Sequence, residues 1–135
     1  MENVQRFIDE WADDPIRTKA VFQNLYQDLL KKDEAGFEFH ARPGISYSLR
    51  GIHKNQKDRP LFVMIDVIDD DPKQRWLSVC FYGDMIEDPD ELGDLIPEGL
   101  LGADGYCFDI TESDDSLEEY VRKRMNEAYE SAAER

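Results

Sequence analysis

The first apolar positions of the chain, Val4, Phe7, Ile8 and Trp11, recur at i, i+3, i+4 and i+7 and predict one face of a short helix. Asp13-Asp14-Pro15 interrupts that pattern, offering an acid as N-cap and a proline for the first helical position of the next element. The second helix carries Ile16, Ala20, Val21, Leu25 and Leu29 on its inward face, with Phe22 and Tyr26 beside them. Lys31 and Lys32 suit its negative end, and Gly36 suits a C′ position.

The period then changes from helical to two. Phe37, Phe39 and Ala41 alternate with Glu38, His40 and Arg42. After a Pro43-Gly44 turn, Ile45, Tyr47 and Leu49 alternate with Ser46, Ser48 and Arg50. A polar loop over 53–60 leads into an apolar run over 61–68, Asp69-Asp70-Asp71-Pro72 turns the chain, and 75–82 predicts a fourth strand. The stretch 83–105 holds five Gly and two Pro, so it reads as a loop with one helical turn near 90–95. Asp104-Gly105 then introduces a fifth strand over 106–110. Residues 113–116 supply several N-caps, two of them at capping-box spacing, for a last helix with the stripe Leu117, Val121, Met125, Ala128 and Ala132. The expected fold is one α+β domain over 1–135. It has two N-terminal helices, a four- to five-stranded antiparallel meander and a C-terminal helix, with the helices on one face of the sheet.

Alternation assigns Phe37, Phe39, Tyr47, Leu49, Val63, Ile65, Val67, Leu77, Val79 and Phe81 to the helix-covered face. The opposite face is mixed, and two functional readings rest on it. His40, Arg42, Ser46, Ser48 and Arg50 form a candidate ligand-binding set, because two guanidiniums hold a carboxylate or phosphate bidentately while an imidazole can move a proton. Phe62, Met64, Trp76 and Tyr82 form a candidate interaction surface, apolar anchors among polar groups. The plainer alternative is a solvated face whose aromatics are shielded by 83–105, with His40 an ordinary surface histidine between Glu38 and Arg42.

Charge sharpens this picture. The chain carries a formal −15, yet Arg42, Arg50, Lys54, Lys57 and Arg59 against Asp58 leave 40–60 at +4. A field of the overall sign repels nucleic acid and anionic membrane. The basic segment invites an acidic partner, a second copy of the chain included. No cofactor motif is present: neither a phosphate-binding glycine loop with lysine, nor Gly-x-Ser-x-Gly, His-Glu-x-x-His or Cys-x-x-Cys. Without an enzyme motif the reading leans toward a non-enzymatic binding or protein-interaction module, the alternative being an anion-binding protein or enzyme with a His/Arg pocket. Asp69-Asp70-Asp71 could share a hard cation with Asp66, and 88–93 begins like a calcium loop. The latter has Leu92 and Gly99 where ligands belong, so turns are expected and no metal site. Cys80 and Cys107 are expected as buried free thiols of a cytosolic protein, or as a single bridge if their strands are neighbours. The acidic N-terminus lacks the character of a signal peptide.

Ile45-Ser46-Tyr47, Arg59-Pro60-Leu61-Phe62 and Phe81-Tyr82, in that order before an irregular segment, a strand and an amphipathic helix, resemble the small YdhG-like bacterial domains. The sequence departs at Ser48-Leu49, where those domains often have Gly and Pro, and at Gly83, where they usually have Pro. The resemblance implies the same α+β fold and no catalytic residues.

Overall fold

The computed structural model describes residues 2–12 and 14–135. Its elements in chain order are helices α1 (Glu2–Glu10) and α2 (Thr18–Leu30), strands β1 (Ala35–Arg42), β2 (Ser46–His53), β3 (Val63–Ile68), β4 (Trp76–Tyr82), β5 (Asp94–Leu100) and β6 (Ala103–Ile110), and helix α3 (Asp115–Ala133). All six strands pair antiparallel, in the order β1-β2-β3-β4-β6-β5. The α+β class, the helix order and the meander are as the periodicity predicts. The strand count is six rather than four to five. No helix among the described residues is long and apolar enough to cross a membrane.

Burial explains why these segments hold their places. On one face of the sheet, Leu49, Ile65, Val79 and Phe108 lie in a single cross-strand row, and Val67, Leu77 and Ile110 in the next. All seven are almost fully buried. The helices cover that face: α3 lays down Val121, Met125, Ala128 and Ala132, and α2 lays down Val21, Phe22, Leu25 and Leu29. From α1, the ring of Phe7 stacks on Tyr47 with centroids 4.2 Å apart. Each such side chain contributes roughly 1.5–3 kcal/mol relative to exposure, so the core dominates the stability.

Local signals place the helix starts. The Asp14 carboxylate accepts from the backbone N–H groups of Thr18 (3.0 Å) and Lys19 (3.1 Å), satisfying donors in the first turn of α2. The helix opens at Thr18 rather than at Pro15, which lies in the preceding turn, while Asp13 falls outside the described residues. Asp114 caps α3 by accepting from Leu117 N–H at 3.1 Å. Gly36 belongs to β1 instead of ending α2.

Three further expectations are corrected. The stretch 83–105 contains β5, not a helical turn. Six of the seven β5 residues are exposed, Pro97 interrupts the strand and the pairing shifts register between Ile96 and Leu100, so it shows no alternation to read. Phe62 sits on the helix side. Its N–H donates to the Gly51 carbonyl (2.9 Å) beside the Val63–Gly51 pair, so two residues face one as in a bulge, and the Phe62 ring meets Tyr129 of α3. Gly51 leaves room for this crossing, since a Cβ there would lie 2.7 Å from Val63 Cγ1 and 3.1 Å from the Phe62 ring. His53, expected in the polar loop, ends β2 instead, with its ring buried against Tyr129.

Candidate functional site: a pocket on the open sheet face

With the helices on one side, the even-numbered residues of β1 to β4 point to the other. Register sets them in rows. His40, Ser48, Asp66, Ser78 and Asp109 run across five strands, flanked by Arg42-Ser46-Ile68-Trp76 on one side and Glu38-Arg50-Met64-Cys80-Cys107 on the other. The first two strands therefore supply the cations together with Glu38, β3 supplies Asp66, and β6 supplies Asp109.

The face is not flat. His40, Arg42, Ser46, Ser48 and Arg50 all line one cavity of about 490 Å³, with Met64 and Asp66 from β3 as its remaining floor. Gly99 and Leu101 of the β5–β6 hairpin complete the wall. The hairpin reaches this position because Leu100 is fully buried where a Cβ on Gly105 would touch it, at 3.0 Å, and a left-handed Leu101 (φ 51°) with Gly102 (φ 90°) turns the chain beyond it. That volume falls within the usual range for small-molecule sites.

Within the cavity, Ser46 and Ser48 are buried, and Arg50 Nε donates to Ser48 Oγ at 3.2 Å. Neither Arg42 nor Arg50 is ion-paired among the described residues, although most of the other arginines are. His40 stands at the exposed rim with Nε2 3.1 Å from Glu38 Oε1. Asp66 is the unusual group. Burial pushes its pKa above the ordinary carboxylate value, and a hydrogen bond from Ser48 with the charges of Arg50 and Arg42 offsets this only in part. Its Oδ1 is buried without a hydrogen-bond partner among the described residues.

The structure thus brings together all five residues of the ligand-binding set and divides the interaction set. Met64 and Trp76 are half-buried on the open face. Phe62 is on the other face, and Tyr82, though on the open side, is fully buried under the guanidinium of Arg59, 4.3 Å from its ring centre. Arg59 is held there by a bidentate pair with Asp84, so neither aromatic is available to a partner. Sequence reasoning passed over Asp66 as a pocket residue, although it is the lone charge in an eight-residue apolar run. Gly99 and Leu101 gave no signal, since only the fold of the hairpin brings them to the cavity.

The cysteines and acid clusters have structural explanations. Cys80 and Cys107 face each other across β4 and β6 with Cα atoms 4.1 Å apart and are joined as a disulfide, correcting the expectation of free thiols. Asp69 pairs with Arg75 at 2.7 Å and accepts from Gly44 N–H at 2.8 Å. Asp88 accepts from Leu92 N–H (3.0 Å), Gly93 N–H (2.9 Å) and the Tyr120 hydroxyl, stitching a turn where a calcium loop was considered. A second cleft of similar size is walled by Asp84, Glu87, Glu127, Glu130 and Glu134, yet among the described residues no three His, Cys, Asp or Glu side chains converge as a metal-ligand group. Searches against family models, curated proteins and solved structures find no match to this chain.

Proposed function

We propose that this protein is a small non-enzymatic binding module whose open sheet face holds a small anion, a carboxylate or a phosphate, between Arg42 and Arg50. One observation carries the reading. In a chain of net −15, two arginines on adjacent strands line one cavity without an ion pair among the described residues. Two guanidiniums against the single carboxylate of Asp66 leave this lining net positive in an acidic protein, which amounts to a standing preference for an anionic ligand. Planar guanidiniums take such a ligand bidentately, and the Ser46 and Ser48 hydroxyls add neutral hydrogen bonds. His40 is paired with Glu38 at the rim and Ser48 with Arg50, which suits groups that hold rather than attack.

Ligand that binds only the folded state raises the thermal midpoint. Midpoints of the full chain across a panel of small carboxylates, phosphate and sulfate should rise with ligand concentration and saturate. The rise should vanish in an Arg42→Gln/Arg50→Gln double variant. An unchanged midpoint across the panel sinks the proposal.

Self-association is a second reading, favoured by the same charge segregation, since the +4 segment over 40–60 can meet the acidic remainder of another copy. Light scattering at low and high salt tests it, and a strict monomer under both conditions removes it.

A further inference from the structure

The anion reading uses the arginines and leaves Asp66 unexplained. Asp66 lines the same cavity as the two arginines, a half-buried carboxylate whose charge is disfavoured by burial. An anion alone makes that worse, because it would be drawn in beside a like charge. A ligand carrying both an anionic group and a hydrogen-bond donor, ideally a cation, satisfies every group at once.

We propose, building on the anion-binding reading, that the pocket takes a small zwitterion of the α-amino acid class, its carboxylate against Arg42 and Arg50 and its ammonium against Asp66. Three features support the match. The cations come from β1 and β2 while the acid comes from β3, one strand further on in the same row as Ser48, so the opposite charges of the site lie side by side as they do in an amino acid. Met64 and Leu101 give the cavity apolar wall, so an aliphatic side chain is favoured over a charged one. Its volume of about 490 Å³ accommodates a ligand of that size. Arg50 is steadied by its bond to Ser48, so the carboxylate partner is partly pre-oriented before the ligand arrives.

Calorimetric titration of the full chain with a matched trio separates this inference from the reading beneath it. The probes are leucine, 4-methylpentanoate (leucine without its amine) and isoamylamine (leucine without its carboxylate). Leucine should bind at least about tenfold tighter than 4-methylpentanoate, the factor expected from one charge-assisted hydrogen bond. Isoamylamine should bind weakest. In Asp66→Asn, leucine should fall to the level of 4-methylpentanoate while the acid binds as well as before or better. Arg50→Gln should weaken both. Equal affinity of leucine and 4-methylpentanoate for the unaltered protein would overturn the zwitterion and leave the anion site standing. If isoamylamine outbinds both, or none of the three binds and the anion panel is also silent, both readings fall. The central comparison needs no variant, so a variant that misfolds does not blunt it.

Discussion

Asp66 within β3 and Asp69 just past its end lie three residues apart, the first half-buried and the second buried, yet they are treated oppositely. Asp69 is saturated: Arg75 on one oxygen, Gly44 N–H on the other. Arg75 is itself enclosed by Phe7, Trp11 and Tyr47, with its guanidinium 5.2–5.5 Å from their ring centres. The corner they form ties the β1–β2 turn to β3 and to α1. Asp66, on the open side, keeps an oxygen without a hydrogen-bond partner among the described residues, and Arg42 and Arg50 nearby are in no ion pair among them. Folding consumes the charge at the corner and leaves it unspent in the pocket. Charged groups left without close partners in the lining of a cavity are where function is expected to reside.

The largest test of that contrast is at the corner. Asp69→Ala strips the partner from a mostly buried guanidinium, so unfolding stability should drop by about 3–5 kcal/mol in chemical denaturation. A loss below about 1 kcal/mol would mean the corner is no more than a surface pair and would erase the contrast.

Next in size is the covalent support of the hairpin that walls the pocket. Cys80 and Cys107 tie β6, which carries the hairpin wall, to β4 across a sequence separation of 27. Closing a loop of that length contributes about 3–4 kcal/mol in the chain-entropy account. Replacing both cysteines by serine should lower stability by that order, and free-thiol titration of the unreduced protein should find none.

Asp66 should behave in the opposite direction to Asp69. Asp66→Asn removes a buried charge, and stability at neutral pH should rise by roughly 1 kcal/mol. The pH sign follows from linkage. A carboxylate whose folded pKa is raised binds its proton more tightly in the folded state, so its contribution falls as pH rises through that folded value. That part of the pH dependence should be absent from Asp66→Asn. If the substitution destabilises the protein as Asp69→Ala does, Asp66 is a structural group and the pocket loses its argument.

Much of this was legible from residue order. Alternation from Phe37 to Tyr82 is strong because one face is buried, and that fixes which residues share the open face, so His40, Arg42, Ser46, Ser48 and Arg50 were brought together by period alone. What periodicity lacks is knowledge of bulges and of fold-back. Phe62 escaped its face because two residues oppose Gly51. β5 hid because a two-sided exposed edge strand with Pro97 shows no alternation. Its hairpin tip decides whether the open face is flat or concave, so the cavity was invisible before the fold was known. The bridge between Cys80 and Cys107 depended on β4 and β6 being neighbours, which sequence leaves open because β5 intervenes in the chain and not in the sheet.

The smallest expected effect is also the most specific to the site. Arg42→Gln and Arg50→Gln remove no ion pair among the described residues, so each should shift stability by no more than about 0.5 kcal/mol. Their effect should appear on Asp66 instead. The positive charges of Arg50 and Arg42 act to hold its pKa down against burial, Arg50 more than Arg42. Removing either should let the pKa rise further, and Arg50→Gln should raise it more. Proton titration of the Asp66 side-chain carboxyl by NMR in the three proteins reads this directly. An Asp66 pKa unmoved by either substitution would show that the guanidiniums do not feel the carboxylate, and a pocket whose charges ignore one another could not recognise a ligand that bridges them.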